Sequence, residues 1–236
     1  MKLLTLLTGL IAIALVILGG PLYKLELLGL GNAFLAMRIG VFVGVGAILL
    51  VIIQVIFMRK NIAWFSTGVS TVLAAIAIAL PLSLMMKAQS VPAIHDITTD
   101  MAHPPSFVAI LPLRANAPNP AEYQGEEIAI QQRAAYPELV TQTYNKTKDQ
   151  VYAAVLTSLK QMGLDIVSAE LAEGRIEASD TTTWFGFVDD VVIRIEFTGR
   201  TTILDARSKS RIGRSDLGKN AERLNELIAK INTNLN

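Results

Sequence analysis

Three long apolar runs open the chain, at residues 3–20, 39–57 and 62–86, and they fix where its first 87 residues can sit. Each approaches the ~20 residues that an α-helix needs to cross ~30 Å of hydrocarbon. A backbone in lipid must satisfy its own polar groups, so three spanning helices are the predicted form. Tyr23 and the Trp64-Phe65 pair fall where interfacial aromatics belong. Gly40 and Gly44 make a small-xxx-small pair that lets two helices approach closely. Pro81 lies in the last turns of the third run and is expected to kink it. The first run is long for a secretion signal and no small-x-small site follows Gly19-Gly20-Pro21, so it reads as an uncleaved anchor. Gln54 is the lone strongly polar side chain in the second run, which argues against transport through the spans.

Charge divides at the same place. Up to Lys87 there are six basic residues and one acid, Glu26; from Ala88 onward fifteen basic residues face nineteen acidic ones. A net-acidic second part excludes non-specific nucleic-acid binding, which depends on neutralising phosphates. The chain has no cysteine, which removes disulfides, thiolate nucleophiles and thiolate metal sites. Arg59-Lys60 in the tight loop between the second and third runs, with Lys2 and the amino terminus, outweigh Lys24, Arg38 and Lys87 on the other side. By the positive-inside rule the amino terminus is expected inside a bacterial inner membrane and the C-terminal part in the periplasm.

Residues 88–120 carry Pro92, Pro104, Pro105, Pro112, Pro118 and Pro120 and read as an extended connector, part of which, with Phe107, Val108, Ile110 and Leu111, is expected to dock on the domain as a strap. The part from 121 to 236 reads as a soluble domain. Thr147 followed by Gln150 fits a capping box, and Val151, Val155, Leu159 and Met162 recur at helical spacing up to Gly163. Strands are predicted at 164–171, 175–183, 191–198 and 201–208. A second helix follows Gly213, capped by Ser215 or Asp216, with Leu217, Ala221, Leu224, Ile228 and Ile231 as its stripe. The fold expected is α+β: helix, four-stranded antiparallel sheet, helix, behind three transmembrane helices.

Gly199-Arg200 between the last two strands suits a two-residue hairpin with glycine first. That turn fixes a register. Arg194 falls opposite Asp205, Val192 opposite Arg207 and Asp190 opposite Lys209, while Val191, Ile193, Ile195 and Phe197 meet Ser208, Ala206, Leu204 and Thr202. One face is then largely apolar and the other sets acid against base, so alternation and turn agree.

Four stretches carry a resemblance: DITTD at 96–100, PPSF at 104–107, GFVDDVVIRI at 186–195 and RSKSRIGRSDLGKNAERL at 207–224. Together they resemble the domain-of-unknown-function 1499 family over roughly residues 94–232. The resemblance implies a domain of bacteria and photosynthetic eukaryotes, often behind membrane segments, with no catalytic residue to carry over. It makes Asp189, Asp190, Arg194, Asp205, Arg207, Ser208, Ser210, Arg211, Gly213, Asp216, Gly218 and Asn220 the family-type positions.

Arg207, Lys209, Arg211 and Arg214 are the candidate ligand-binding cations, beside a helix start that suits phosphate or carboxylate. Asp189, Asp190, Arg194, Asp205, Asp216 and Asn220 form the candidate structural network, and its four acids make internal bracing the competing reading for those cations. Asp189 and Asp190 point to opposite faces of a strand, which disfavours them as a catalytic pair. His95, Asp96, Asp100 and His103 are metal-capable but sit in the connector. No nucleophile elbow, phosphate loop or dinucleotide fingerprint is present, so no cofactor and no metal are expected. The function expected is a non-enzymatic binding or assembly module at the bilayer, its partner an anionic small molecule, a lipid head group or a membrane protein. The alternative is an envelope- or lipid-modifying enzyme using Asp189, Asp190 and Asp205 with Arg207 and Arg211.

Overall fold

A computed structural model describes the whole chain except Met1, Arg59 and Asn61, with the side chain of Lys2 also outside the described residues. Arg59, one of the inside charges counted above, therefore lies outside them. The chain divides into two compact units: residues 1–89 with 183–186, and residues 90–182 with 187–236.

The first unit holds helices α1 (Lys2–Lys24), α2 (Leu30–Phe57) and α3 (Trp64–Ser90). All three are long and apolar enough to cross a membrane. The second begins at Leu30, nine residues before its apolar run, because nothing between the Gly29 cap and Ile39 interrupts the helical backbone. Small residues set the packing. A Cβ on Gly40 would lie 2.8 Å from the Ala12 carbonyl oxygen of α1, and one on Gly44 would lie 3.2 Å from that of Ala74 of α3. Four residues apart on one face of α2, the two glycines thus admit different neighbours, α1 at Gly40 and α3 at Gly44. Gln54 is buried, and its Oε1 accepts from the Thr5 hydroxyl at 3.2 Å, while Ser70 donates to the Thr5 carbonyl at 2.6 Å. Polar glue of this kind satisfies groups that lipid cannot. Residues 183–186 add aromatic weight to this unit: Trp184 Nε1 donates to the Ile17 carbonyl at 2.9 Å.

The second unit is a six-stranded antiparallel sheet with helices on one face. Its elements are β1 (Asp96–Thr98), a 3-10 turn (Leu111–Arg114), α4 (Glu126–Ala135), β2 (Gln142–Tyr144), α5 (Lys148–Gln161), β3 (Asp165–Glu170), β4 (Arg175–Thr181), β5 (Val188–Phe197), β6 (Thr202–Ser210) and α6 (Lys219–Leu235). The sheet order is β1-β6-β5-β4-β3, and β2 also pairs with β6. The sequence reading of four strands is two short: β1 and β2 share the outer edge of β6, at 207–209 and 202–204 respectively.

The hairpin register is as read from the turn. Arg194 pairs with Asp205, Val192 with Arg207, Asp190 with Lys209, Ile193 with Ala206 and Ile195 with Leu204. Gly199 has φ 87, a value L side chains rarely adopt, and the Thr198 amide donates to the Thr201 carbonyl at 2.9 Å. Thr147 and Gln150 form the capping box of α5. The apolar face of the sheet (Ile176, Ala178, Val191, Ile193, Ile195, Leu204, Ala206) packs on Val151, Val155 and Leu159 of α5 and Leu224, Leu227 and Ile231 of α6. Burying one such side chain contributes roughly 1.5–3 kcal/mol.

The opposite face is covered too. The proline-bearing stretch folds back over it as a strap, and Phe107 and Ile110 pack on Val192 of β5 with Ala121 and Val167 alongside. The acid–base face of the sheet is thereby enclosed.

Candidate functional site

Alternation along β5 and β6 sorts the polar residues onto the two faces. Under the strap, Arg207 donates from Nε and Nη2 to both oxygens of Asp96, at 2.9 and 2.8 Å. Its remaining donors reach the Pro105 and Ala121 carbonyls. Its guanidinium carbon lies 5.1 Å from the Phe107 ring centroid and 5.5 Å from that of Tyr123. Lys209, fully buried, donates to the same Asp96 at 2.9 Å and to the Glu122 carbonyl at 2.6 Å. Asp190 serves a second pair of cations. Arg211 bonds both of its oxygens at 2.8 Å, Arg114 of the strap donates at 2.6 Å, and Ser179 adds a hydroxyl at 2.7 Å. Two carboxylates thus face four cations, and backbone carbonyls take the surplus donors: Arg114 also reaches those of Asn119, Lys209 and Ser210.

Further along this face Arg194 bridges Asp205 and Asp100, each at 2.9 Å, while Thr99 and Thr141 donate to Asp205 at 3.0 and 2.7 Å. Glu177 of β4 holds the strap from below. Its carboxylate accepts the amides of Val108, Ala109 and Ile110 at 2.9–3.1 Å, the free donors at the start of the 3-10 turn.

On the helix side Arg223 of α6 donates to Asp180 at 2.6 Å and Asp189 at 2.8 Å, and also to Ser208 and Asn220. Asn220, fully buried, takes a hydrogen bond from Ser208 and donates to Ser210 and the His95 carbonyl. Helix α6 starts at Lys219, later than its sequence pattern implies, behind Leu217 (φ 58) and Gly218 (φ 79) in the left-handed region. Asp216 secures that turn by accepting the Gly218 and Asn220 amides, both at 2.8 Å. Leu217, read as the first residue of the apolar stripe, precedes the helix for the same reason.

The electrostatics follow the burial. Desolvation pushes the Lys209 ammonium down, with Asp96 opposing the shift. Burial likewise pushes the Asp216 carboxyl up against the two amides it accepts. Arg223 is also desolvated, yet Asp189 and Asp180 hold its guanidinium above the usual range. His95 is pushed down by burial, with Lys209 adding to the shift.

Of the four candidate ligand-binding cations, Arg207 and Lys209 are enclosed, Arg211 keeps 21% of its side chain exposed, and Arg214 is exposed. Among the described residues Arg214 takes no part in these ion pairs. Asp189 and Asp190 lie in separate networks on opposite faces. The set His95, Asp96, Asp100 and His103 does not converge: Asp96 faces Arg207 and Lys209, Asp100 accepts the Ala102 and His103 amides, and His95 Nδ1 lies 3.4 Å from the Arg214 carbonyl. Sequence reasoning missed Arg114, Glu177, Asp180 and Arg223 as network members. For Arg223 the quoted motif was a usable signal; for Arg114 and Glu177 none existed, since their partners are set by the path of the strap.

Geometry and composition together define an α+β domain behind three helices long and apolar enough to cross a membrane, its sheet clamped on both faces by buried ion pairs. A protein-family model described as "Protein of unknown function (DUF1499)" matches residues 96–231, and the chain belongs to that family. No curated protein matches it.

Proposed function

We propose that this protein is a non-enzymatic binding or assembly module held at a bilayer, recognising an anionic ligand or a protein partner beside the membrane. The observation that carries this reading is that its candidate carboxylates are buried and already paired. Asp190 is bonded to Arg114, Arg211 and Ser179, Asp189 to Arg223, and Asp205 to Arg194, Thr99 and Thr141. A general base or nucleophile needs a free lone pair within reach of substrate, and these carboxylates are buried and each already faces an arginine. The enzyme alternative therefore gains nothing from Asp189, Asp190 and Asp205.

Within this reading Arg207 and Lys209 are braces, and anion recognition falls to the outward edge of Arg211 and to Arg214. We place the domain in the periplasm and the spans in a bacterial inner membrane, from the balance of basic residues in the short loops. A C-terminal alkaline phosphatase fusion is expected to be active and a C-terminal green fluorescent fusion dark.

The decisive experiment is mass spectrometry of small molecules, lipids and proteins retained by the full-length chain after purification in mild detergent. An anionic species or a membrane-protein partner should co-purify, and Arg214→Gln should release it without loss of fold. Recovery of the folded protein with no retained species would count against the proposal.

A further inference from the structure

The strap has an outer side as well as an inner one. Between His103 and Glu122 its one charged residue is Arg114. That side chain is 2% exposed and turned inward onto Asp190. What the stretch shows to water is uncharged and mainly apolar: Val108, Leu111 and Leu113 are 47%, 45% and 53% exposed and Pro112 is exposed among them, with Ser106 and Asn116 as exposed polar flanks. A typical soluble domain has ~25% charged residues, so a run whose one charge is turned inward is unusual for a surface.

The tip is also held firmly. Glu177 accepts three successive amides at its base, the Leu111 amide donates back to the Val108 carbonyl at 3.3 Å, and Arg211 Nη1 donates to the Leu113 carbonyl at 3.1 Å. A pre-ordered apolar prominence loses little freedom on docking. Basic groups stand at its edge. Arg211 is bonded to it directly, and exposed Arg214 follows Gly213, whose carbonyl accepts from Asn119 of the strap at 2.9 Å. Apolar side chains rimmed by arginine are the combination that partitions into a membrane interface carrying anionic lipid.

We infer that Val108, Leu111, Pro112 and Leu113 form a bilayer-docking tip, seated among acyl chains with Arg211 and Arg214 on anionic head groups. The bilayer is the favoured occupant because the chain cannot leave it. Three helices suit membrane crossing, and the chain from Ser90 to Asp96 reaches at most about 20 Å when fully extended. A tethered surface is met at high effective concentration, whereas a protein partner has to be recruited. The arginine contacts rest on the recognition edge proposed above, whereas apolar insertion of the tip does not, so doxyl quenching at 111 and 113 holds or fails whatever species co-purifies.

The absence of cysteine makes the test clean. Leu111→Cys and Leu113→Cys, with Lys160→Cys on the exposed side of α5 as the water-facing reference, are labelled with an environment-sensitive fluorophore in the full-length chain. The protein is placed in nanodiscs of phosphatidylcholine with phosphatidylglycerol. Positions 111 and 113 should show blue-shifted emission, quenching by doxyl lipids and protection from iodide, while position 160 shows the reverse. Arg214→Gln should lower the docked-to-undocked ratio about fivefold when phosphatidylglycerol is present. Iodide quenching at 111 and 113 equal to that at 160 overturns the inference. Protection from iodide without doxyl quenching overturns it too, because protein and not lipid would then cover the tip. If one labelled position disturbs thermal unfolding, the other carries the test.

Discussion

Arg207 meets both carboxylate oxygens of Asp96 across 111 positions of sequence, and Lys209 joins them on the same carboxylate. The three groups tie edge strand β1 and the returning strap to the C-terminal half of β6. Because the site is closed, its energetics are those of a buried triad, where removing the shared partner is far worse than removing one of the pair it serves.

Asp96→Ala strands two buried cations and is expected to destabilise the domain by about 3–5 kcal/mol or prevent folding. Lys209→Met leaves the Arg207–Asp96 pair intact and removes a desolvated charge, so near-native or higher stability is expected. Chemical unfolding of both variants checks the ordering; equal losses would contradict it.

Glu177→Gln removes a charged acceptor from three strap amides and is expected to cost about 1–3 kcal/mol, felt mainly by the strap. Limited proteolysis should then cut within residues 104–121 before any other site. Cleavage unchanged from the native protein would show that the strap is held by apolar packing alone.

How much of this was legible follows from how local each signal is. The β5–β6 register could be read because Gly199 fixes the turn and side chains alternate on either side of it. The capping box at Thr147 and the three spans are equally local. Strands β1 and β2 were not legible: three residues hold no periodicity, and each exists only because the edge of β6 is free to receive it. The strap was partly legible: Phe107, Val108, Ile110 and Leu111 imply docking on the domain, and Phe107 and Ile110 do dock while Val108 and Leu111 stay exposed, but its prolines say nothing about which polar groups it covers. The cations of 207–211 were visible, but Asp96, which pairs with Arg207 and Lys209, and Arg114, which shares Asp190 with Arg211, come from outside the hairpin, so bracing and binding could not be separated before the chain was folded.

His95 provides a pH test. Its Nε2 is buried with no hydrogen-bond partner among the described residues, and Lys209, Asp96 and Asp216 surround the ring electrostatically. Burial lowers its pKa from 6.5. The unfolded chain therefore takes up a proton first as pH falls, and the stability tied to neutral His95 is present above 6.5 and lost below it, through the depressed folded value. Unfolding midpoints measured from neutral to about pH 5 should decline, and His95→Gln should flatten that slope. A parallel slope in the variant would assign the effect elsewhere.

Gly40→Leu drives side-chain atoms into the Ala12 backbone and Val16 of α1, and overpacking of this kind costs about 1–3 kcal/mol. The altered helix unit should lose resistance to dodecyl sulfate relative to Gly46→Leu, whose Cβ position meets nothing within 4 Å. Equal resistance would remove close approach as the role of Gly40.

The most direct test of the central claim, that the basic motif divides into inner braces and an outer recognition edge, is the thermal unfolding of Arg207→Ala and Arg214→Ala in the full-length chain. The account predicts a midpoint lowered by about 10 °C or more for Arg207→Ala and an unchanged midpoint for Arg214→Ala. A native midpoint for Arg207→Ala would contradict it.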